Sequence, residues 1–236
     1  MMMKVLIIIP AYNEAEGISK LIDNLEENYA QYDYAIINDG SNDQTKKLCR
    51  EKGYHVLNLP INLGIGGAVQ TGYIYASEND YDIAVQIDGD GQHNPKYIEE
   101  MIKKMEEENA DIVIGSRFIT REGFQSSVLR RAGINLLSIL IKICTGKRIY
   151  DVTSGYRIVN RRFIDIFAED YSRDYPEPEA IVTAVMWGGK IIETPVVMNE
   201  RESGTSSINI KKSFYYMIKV TLAILVRRIS YGIRRA

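Results

Sequence analysis

Five short apolar runs, each followed by a segment of helical spacing, constrain this chain more than any other feature. The runs are Lys4–Ile9, Tyr34–Asn38, His55–Leu59, Ile83–Ile87 and Asp111–Gly115. Between them the periodicity predicts helices over Ala15–Tyr29, Asp43–Lys52, Ile65–Ser77 and Pro95–Glu108. Strand and helix alternating in this way give parallel βαβ units, so the expected class is α/β: a mixed, mainly parallel sheet with helices on both faces. Polar residues then fall directly after strand ends, at Pro10–Glu14, Asp39–Ser41 and Asp88–Asp90. In open α/β sheets ligands bind beyond the carboxyl ends of the strands, so these loops are expected to line one crevice.

Past Gly115 the pattern changes. A long helix is expected over Ser126–Cys144, then a loop leading into Ser154–Val159, a helix near Glu179–Trp187, a strand near Lys190–Val197 and helical character over Ile210–Ile229. Residues 1–209 are read as one domain, and 210–236 as an appended basic amphipathic helix. With 236 residues, 45% of them hydrophobic, the chain is long enough for one substantial core.

The net charge of −2 argues against a nucleic-acid binder, but the charge is unevenly spread. From Arg121 to Arg162 nine Lys/Arg face only Glu122 and Asp151, a net of +7; from Arg201 to Ala236 eight face only Glu202, again +7. Two basic regions are thus available to an anionic partner. Cys49 and Cys144 lack metal-ligand spacing and suit a reducing compartment. Pro10 cuts short the first apolar run, which reads as a buried strand and not as a signal peptide. No run reaches the roughly 18 apolar residues of a membrane-spanning helix.

The chemistry-bearing residues start with Asp88-Gly89-Asp90-Gly91-Gln92-His93. Two carboxylates one residue apart at a strand terminus suit a hard divalent ion that bridges diphosphate oxygens, although Asp-x-Asp also makes a plain turn. Asp39 in Asp39-Gly40-Ser41 offers a carboxylate to a nucleobase or ribose, and Ser41 or Asn42 offers a helix cap. Asn62-Leu63-Gly64-Ile65-Gly66-Gly67 runs into a helix, as a phosphate-facing loop or as a tight turn. In Pro176-Glu177-Pro178-Glu179, either glutamate is a candidate general base for a hydroxyl acceptor.

Taken in order, Pro10-Ala11-Tyr12-Asn13-Glu14, Asn38-Asp39-Gly40-Ser41, Asn62-Leu63-Gly64, Asp88-Gly89-Asp90 and Gly115-Ser116-Arg117 resemble the inverting family-2 glycosyltransferases of GT-A fold. Asp151–Arg157 and Arg201–Ser206 look like the branch that moves sugars to dolichyl or other polyprenyl phosphates. The resemblance implies that Pro10, Tyr12, Glu14, Asp39 and Gly64 serve the nucleotide sugar. It implies that Asp88, Asp90 and Gln92 hold Mg²⁺ or Mn²⁺, and that Arg201 with Ser203 closes over the diphosphate. Arg117, Arg131 and Asn135 take the acceptor phosphate, Asn135 standing where the family often has Ser. Asp90, Arg117 and Arg201 are the implied catalytic set.

The expected reaction moves a sugar, glucose or N-acetylglucosamine from a UDP-sugar, to undecaprenyl phosphate for cell-surface polysaccharide. The expected place is the cytoplasmic face of the membrane, peripherally bound, with a small membrane protein as a further partner. The alternatives are a GDP-mannose donor, a saccharide hydroxyl acceptor, and an idle scaffold subunit. On the helix over Ser126–Cys144, Ile134, Leu137, Ile141 and Cys144 recur at core spacing, while Leu136, Ile139, Leu140 and Ile143 widen the apolar surface beyond one stripe. Phe214, Met217, Ile218, Leu222 and Leu225 make a similar face, ended by Arg227–Arg228. Both helices are expected to lie at a lipid headgroup layer.

Overall fold

The structure is a computed structural model that describes residues 3–120, 122, 128–199 and 210–234. Seven strands form one sheet: β1 (Val5–Ala11), β2 (Asp33–Asn38), β3 (Val56–Asn58), β4 (Ile83–Gln86), β5 (Ile112–Ser116), β6 (Arg157–Asn160) and β7 (Ile191–Pro195). Their spatial order is β3-β2-β1-β4-β6-β5-β7. β1 lies at the centre of the parallel half with every residue buried, because Val5–Ile9 can cover both sheet faces with apolar side chains. β6 departs from the parallel pattern. It runs antiparallel between β4 and β5, with Gln86 opposite Arg157 and Ile114 opposite the same arginine. The sheet is therefore mixed, as the sequence implies.

Helices cover both faces. α1 (Ala15–Asn28), α2 (Thr45–Lys52) and α4 (Ile98–Glu107) bury Ile18, Ile22, Cys49, Ile98 and Met101 on one side, against Ile7, Ile9 and Val85. α3 (Gly64–Glu78), α5 (Val128–Thr145), α6 (Arg161–Glu169), α7 (Pro176–Met186) and α8 (Ile210–Arg234) lie on the other, over Leu6, Ile8, Ala84 and Ile114. α6 has no counterpart among the helices expected from the sequence. Its start is set by Asn160, whose side chain accepts from the Phe163 N–H, and Phe163, Ile164 and Phe167 supply its buried stripe.

α8 is built into this core. Val220 and Ile224 are fully buried in the cluster that α5 and α7 share, and Met217 reaches the α5 backbone at Gly133. Arg227 binds Asp170 at 2.7 Å and donates to Thr183 of α7, while Arg228 donates to the Cys144 carbonyl of α5. The outer faces of the two helices stay apolar: Leu136, Ile139, Ile143, Leu222, Val226 and Ile229 are exposed. Among the described residues no helix is long and apolar enough to cross a membrane.

Candidate active site

The loops after β1, β2 and β4 do meet. Pro10, Tyr12, Glu14, Asp39, Gly64, Asp88 and Asp90 line one cleft of about 430 Å³, and Glu177 from the start of α7 forms a further part of its wall. A cleft lined by Leu25, Tyr34 and Tyr81 has a similar volume, about 440 Å³. It gathers none of these loops, so the chemistry is assigned to the first.

The loops after β1 and β2 are stitched together. Asn13 holds a positive φ of 57° and accepts the Asn42 N–H at 2.8 Å, while its own N–H donates to the Ser41 hydroxyl at 3.0 Å. Glu14 N–H donates to Thr45 Oγ1 at 3.1 Å. Ser41 and Asn42 thus cross-link two loops and do not cap α2, whose first turn is closed instead by Asp43 accepting from Thr45 N–H at 2.9 Å. Asp39 is buried, and its Oδ1 accepts the Leu63 N–H at 2.6 Å. That bond fixes the carboxylate and ties the glycine-rich segment to it.

Gly64 has a φ of 80° and opens α3, so the segment is a tight turn whose first glycine lines the cleft. Gly66 serves packing: a Cβ there would stand 2.1 Å from the Ser172 carbonyl oxygen. The loop before α7 therefore lies directly on the N-terminus of α3, and this contact brings Glu177 to the cleft.

Asp88 is about one-third exposed at the end of β4. Its N–H donates to His93 Nδ1 at 3.0 Å, which leaves the His93 Nε2 3.7 Å from Asp88 Oδ2. His93 itself is buried and stacks on Tyr156 at 5.0 Å between ring centroids. Asp90 is buried and accepts the Gln92 N–H at 3.0 Å. Gln92 points along the rim, donating weakly to the Asn199 carbonyl at 3.5 Å.

Among the described residues no three His, Cys, Asp or Glu side chains gather round one point. Two carboxylates facing a cleft nevertheless fit Mg²⁺ or Mn²⁺, ions that take few protein ligands and complete their shell with substrate phosphates and water.

Arg117, at the end of β5, is already engaged. Its Nε and Nη2 each bind Asp151 at 2.7 Å, its N–H binds the same carboxylate at 3.0 Å, and Nη2 reaches Thr153 at 3.1 Å. Asp151 is fully buried and Arg117 nearly so. On α5, Arg131 is half-buried and Asn135 exposed. Arg201 and Ser203 lie outside the described residues. Of the two candidate bases, Glu177 faces the cleft and Glu179 does not: Glu179 accepts from Ser172 at 2.7 Å and sits 3.7 Å from Arg227. Burial pushes the Glu177 carboxyl up, and the positive charge of Arg157 opposes that shift.

A model of glycosyl transferase family 2 matches residues 6–167, which takes in the strands from β1 to β6 and the loops after β1, β2, β4 and β5. The chain belongs to the family-2 glycosyltransferases. This family-2 transferase is 30% identical over 217 residues to the undecaprenyl-phosphate mannosyltransferase of Micrococcus luteus, covering 88% of each chain. It is also 30% identical over 210 residues to the UDP-N-acetylglucosamine–dolichyl-phosphate N-acetylglucosaminyltransferase of Methanococcus voltae, covering 80% of this chain and 83% of that one. Its fold is shared with glucosyl-3-phosphoglycerate synthase of Mycobacterium tuberculosis, solved with Mn²⁺, UDP-glucose and phosphoglyceric acid. The TM-score is 0.75 at 17% identity, over 96% of this chain and 80% of that one. The fold is thus GT-A, and the protein is a transferase of the branch that includes polyprenyl-phosphate sugar transferases.

Proposed function

We propose that the protein transfers a sugar from a nucleotide sugar to a polyprenyl phosphate, with inversion, at a membrane surface. The observation that carries this reading is the cleft itself, where Pro10, Tyr12, Glu14, Asp39, Gly64, Asp88 and Asp90 converge from separate loops. Asp39, fixed by Leu63 N–H, accepts from the base or ribose, and Tyr12 and Pro10 wall the nucleoside. Asp88 and Asp90 hold Mg²⁺ or Mn²⁺, with Gln92 beside them; when bound, the ion stabilises charge on the departing diphosphate. Arg201 and Ser203 close over that diphosphate, and Arg201 adds fixed positive charge where negative charge develops.

A phosphate acceptor with a second pKa near 6 is already anionic at neutral pH and attacks without a strong base. The protein's task is then to bring two anions together. Arg131 and Asn135 take the lipid phosphate, and Arg117, its guanidinium fork set by Asp151, forms the fixed edge of that site. The exposed apolar outer faces of α5 and α8, flanked by Lys142, Lys219 and Arg228, support docking on an anionic headgroup layer or on a small membrane protein. The cytoplasmic leaflet is the face where nucleotide sugars are made available to such an enzyme.

The donor is taken as a UDP-sugar, glucose or N-acetylglucosamine, serving surface polysaccharide synthesis. The similarity to a UDP-N-acetylglucosamine-dependent relative supports this, and the mannosyltransferase relative makes GDP-mannose the alternative. A saccharide hydroxyl as acceptor is the second reading, favoured by Glu177 in the cleft wall, where a base would stand.

The test is incubation of the purified protein with radiolabelled UDP-glucose, UDP-N-acetylglucosamine or GDP-mannose, Mn²⁺ and undecaprenyl phosphate. The expected result is label extracted into organic solvent with one donor and lost in excess EDTA. Label that stays in the aqueous phase with every donor, or transfer unaffected by EDTA, contradicts the proposal.

A further inference from the structure

Beneath the cleft lies a buried cation that the roles above do not use. Arg157 is fully buried on β6, and its ion pairs are missing: among the described residues no carboxylate pairs with it. Its Nη2 donates to the Ser154 carbonyl at 2.6 Å and its Nη1 to the Glu177 carbonyl at 3.3 Å, while Nε has no partner. Opposite it on β4, Gln86 is also buried, and neither atom of its amide is hydrogen-bonded among the described residues. Removing a guanidinium from water without a directly paired carboxylate is costly, and two under-satisfied polar neighbours beneath one cleft are unusual in a core.

Their surroundings show what the charge acts on. Burial pushes the Glu177 carboxyl up and the Arg157 charge is the largest influence opposing it, and among the described residues the Glu177 and Ser154 carbonyls are the hydrogen-bond partners of that guanidinium. Glu177 lines the same cleft as Asp88 and Asp90. Gly155 closes the set: a Cβ there would stand 3.0 Å from the Gln86 amide nitrogen and 3.3 Å from Asp88 Oδ1. One buried unit therefore backs both Asp88 and Glu177.

We propose that Glu177 is the carboxylate that accepts hydrogen bonds from the hydroxyls of the transferred sugar, and that Arg157 is the positioning residue that holds it there. This rests on the donor-transfer reading above. The nucleoside is held from Asp39 and Gly64 and the diphosphate from Asp88 and Asp90, so a carboxylate on the remaining wall faces the group between diphosphate and acceptor, which is the sugar. The acceptor being a phosphate, Glu177 need not remove a proton; it selects and orients. A carboxylate accepting from two adjacent hydroxyls discriminates epimers, because the wrong epimer leaves one of its bonds unmade.

The experiment compares wild type, Glu177→Gln, Glu177→Ala, Arg157→Met, Arg157→Lys and the Glu177→Ala/Arg157→Met double variant. Each is measured for UDP or GDP binding with Mn²⁺ by calorimetry, and for kcat and KM with the preferred donor and its epimer. Glu177→Ala is expected to cut transfer at least thirtyfold and to narrow the epimer preference about tenfold, with nucleotide affinity within about threefold of wild type. Glu177→Gln, which keeps one accepting oxygen, should lose about three- to tenfold. Arg157→Met should shift the epimer preference in the same direction, and the double variant should be no worse than the poorer single one. If Arg157→Met does not fold, Arg157→Gln, which also removes the charge, carries the same comparison, and Arg157→Lys, which keeps it, should stay nearer wild type.

Three results overturn the inference: an unchanged epimer ratio in Glu177→Ala, a Glu177→Gln loss as large as that of Glu177→Ala (the mark of a base), or strictly additive effects in the double variant. Wild-type protein that transfers no sugar would instead overturn the functional reading on which the inference stands.

Discussion

The carboxylates after β4 and the ion pair after β5 lie at the same edge of one sheet and are built in opposite ways. Asp88 and Asp90 open onto a cleft with no arginine or lysine paired to Asp88 among the described contacts, its near neighbour being His93 at 3.7 Å. Arg117 and Asp151 satisfy each other through two 2.7 Å bonds and are closed off from water. Like charges gathered on an open wall raise the energy of the empty protein and lower it again when a cation arrives. Opposite charges closed on each other are satisfied before any ligand arrives, and fix the chain between β5 and β6. Residues drawn from one family pattern thus divide into those left open to the cleft and those closed on each other beside it.

Four substitutions sharpen or break that contrast. Asp90→Ala is expected to reduce sugar transfer by roughly a thousandfold or more, since several kcal/mol of leaving-group stabilisation depends on the ion it helps to hold. Its melting temperature should stay within a few degrees of wild type, and a collapse in stability would place Asp90 with the closed pair instead.

Arg117→Ala should lose stability as well as transfer. It leaves Asp151 buried and unpaired, at a cost of about 3–5 kcal/mol in urea unfolding. The double variant Arg117→Met/Asp151→Leu should recover most of that, and a full-stability Arg117→Ala would show that the pair is open to solvent.

Gly66→Ala pushes against the Ser172 carbonyl oxygen, 2.1 Å from the new Cβ, and so against the loop that presents Glu177. A loss of about 1–3 kcal/mol is expected, with weaker donor use, readable as a shift in unfolding midpoint and a raised KM. Unchanged values for both would mean that the α3–loop contact does not set the cleft wall.

The smallest effect is expected at the outer helices. Ile143→Ser removes one exposed apolar side chain from α5 and should weaken binding to vesicles of anionic phospholipid by up to about tenfold, leaving the unfolding midpoint unchanged. Equal vesicle binding by both proteins would remove that face from the membrane reading.

How much of this was legible in the sequence differs along the chain. β1, β2, β4 and β5 are buried runs of Ile and Val whose length and polar punctuation identify them, and the residues after them were readable as site residues for the same reason. β6 was legible as a segment but its direction was not, because whether a strand enters parallel or antiparallel depends on the path of the preceding connection. α6 was overlooked although Asn160 followed by Phe163, Ile164 and Phe167 is a cap and stripe at helical spacing.

Within the site, Asp39, Asp88 and Asp90 announce themselves by position. Asp151 does not, since its partner lies 34 residues away and only the sheet brings them together. The inner face of α8 was likewise overlooked. The face with Ile218, Leu222 and Leu225 is exposed, in keeping with a surface role, whereas the stripe that buries Val220 and Ile224 against α5 and α7 was not read from the sequence.

Calorimetric titration of UDP and GDP into the protein, with and without Mn²⁺, tests the central claim most directly. The account predicts that one nucleotide binds with Mn²⁺ present, that its affinity falls at least tenfold when the metal is chelated, and that Asp88→Asn removes the metal effect while the fold is retained. Equal affinity with and without Mn²⁺, or a metal effect that survives in Asp88→Asn, would contradict it.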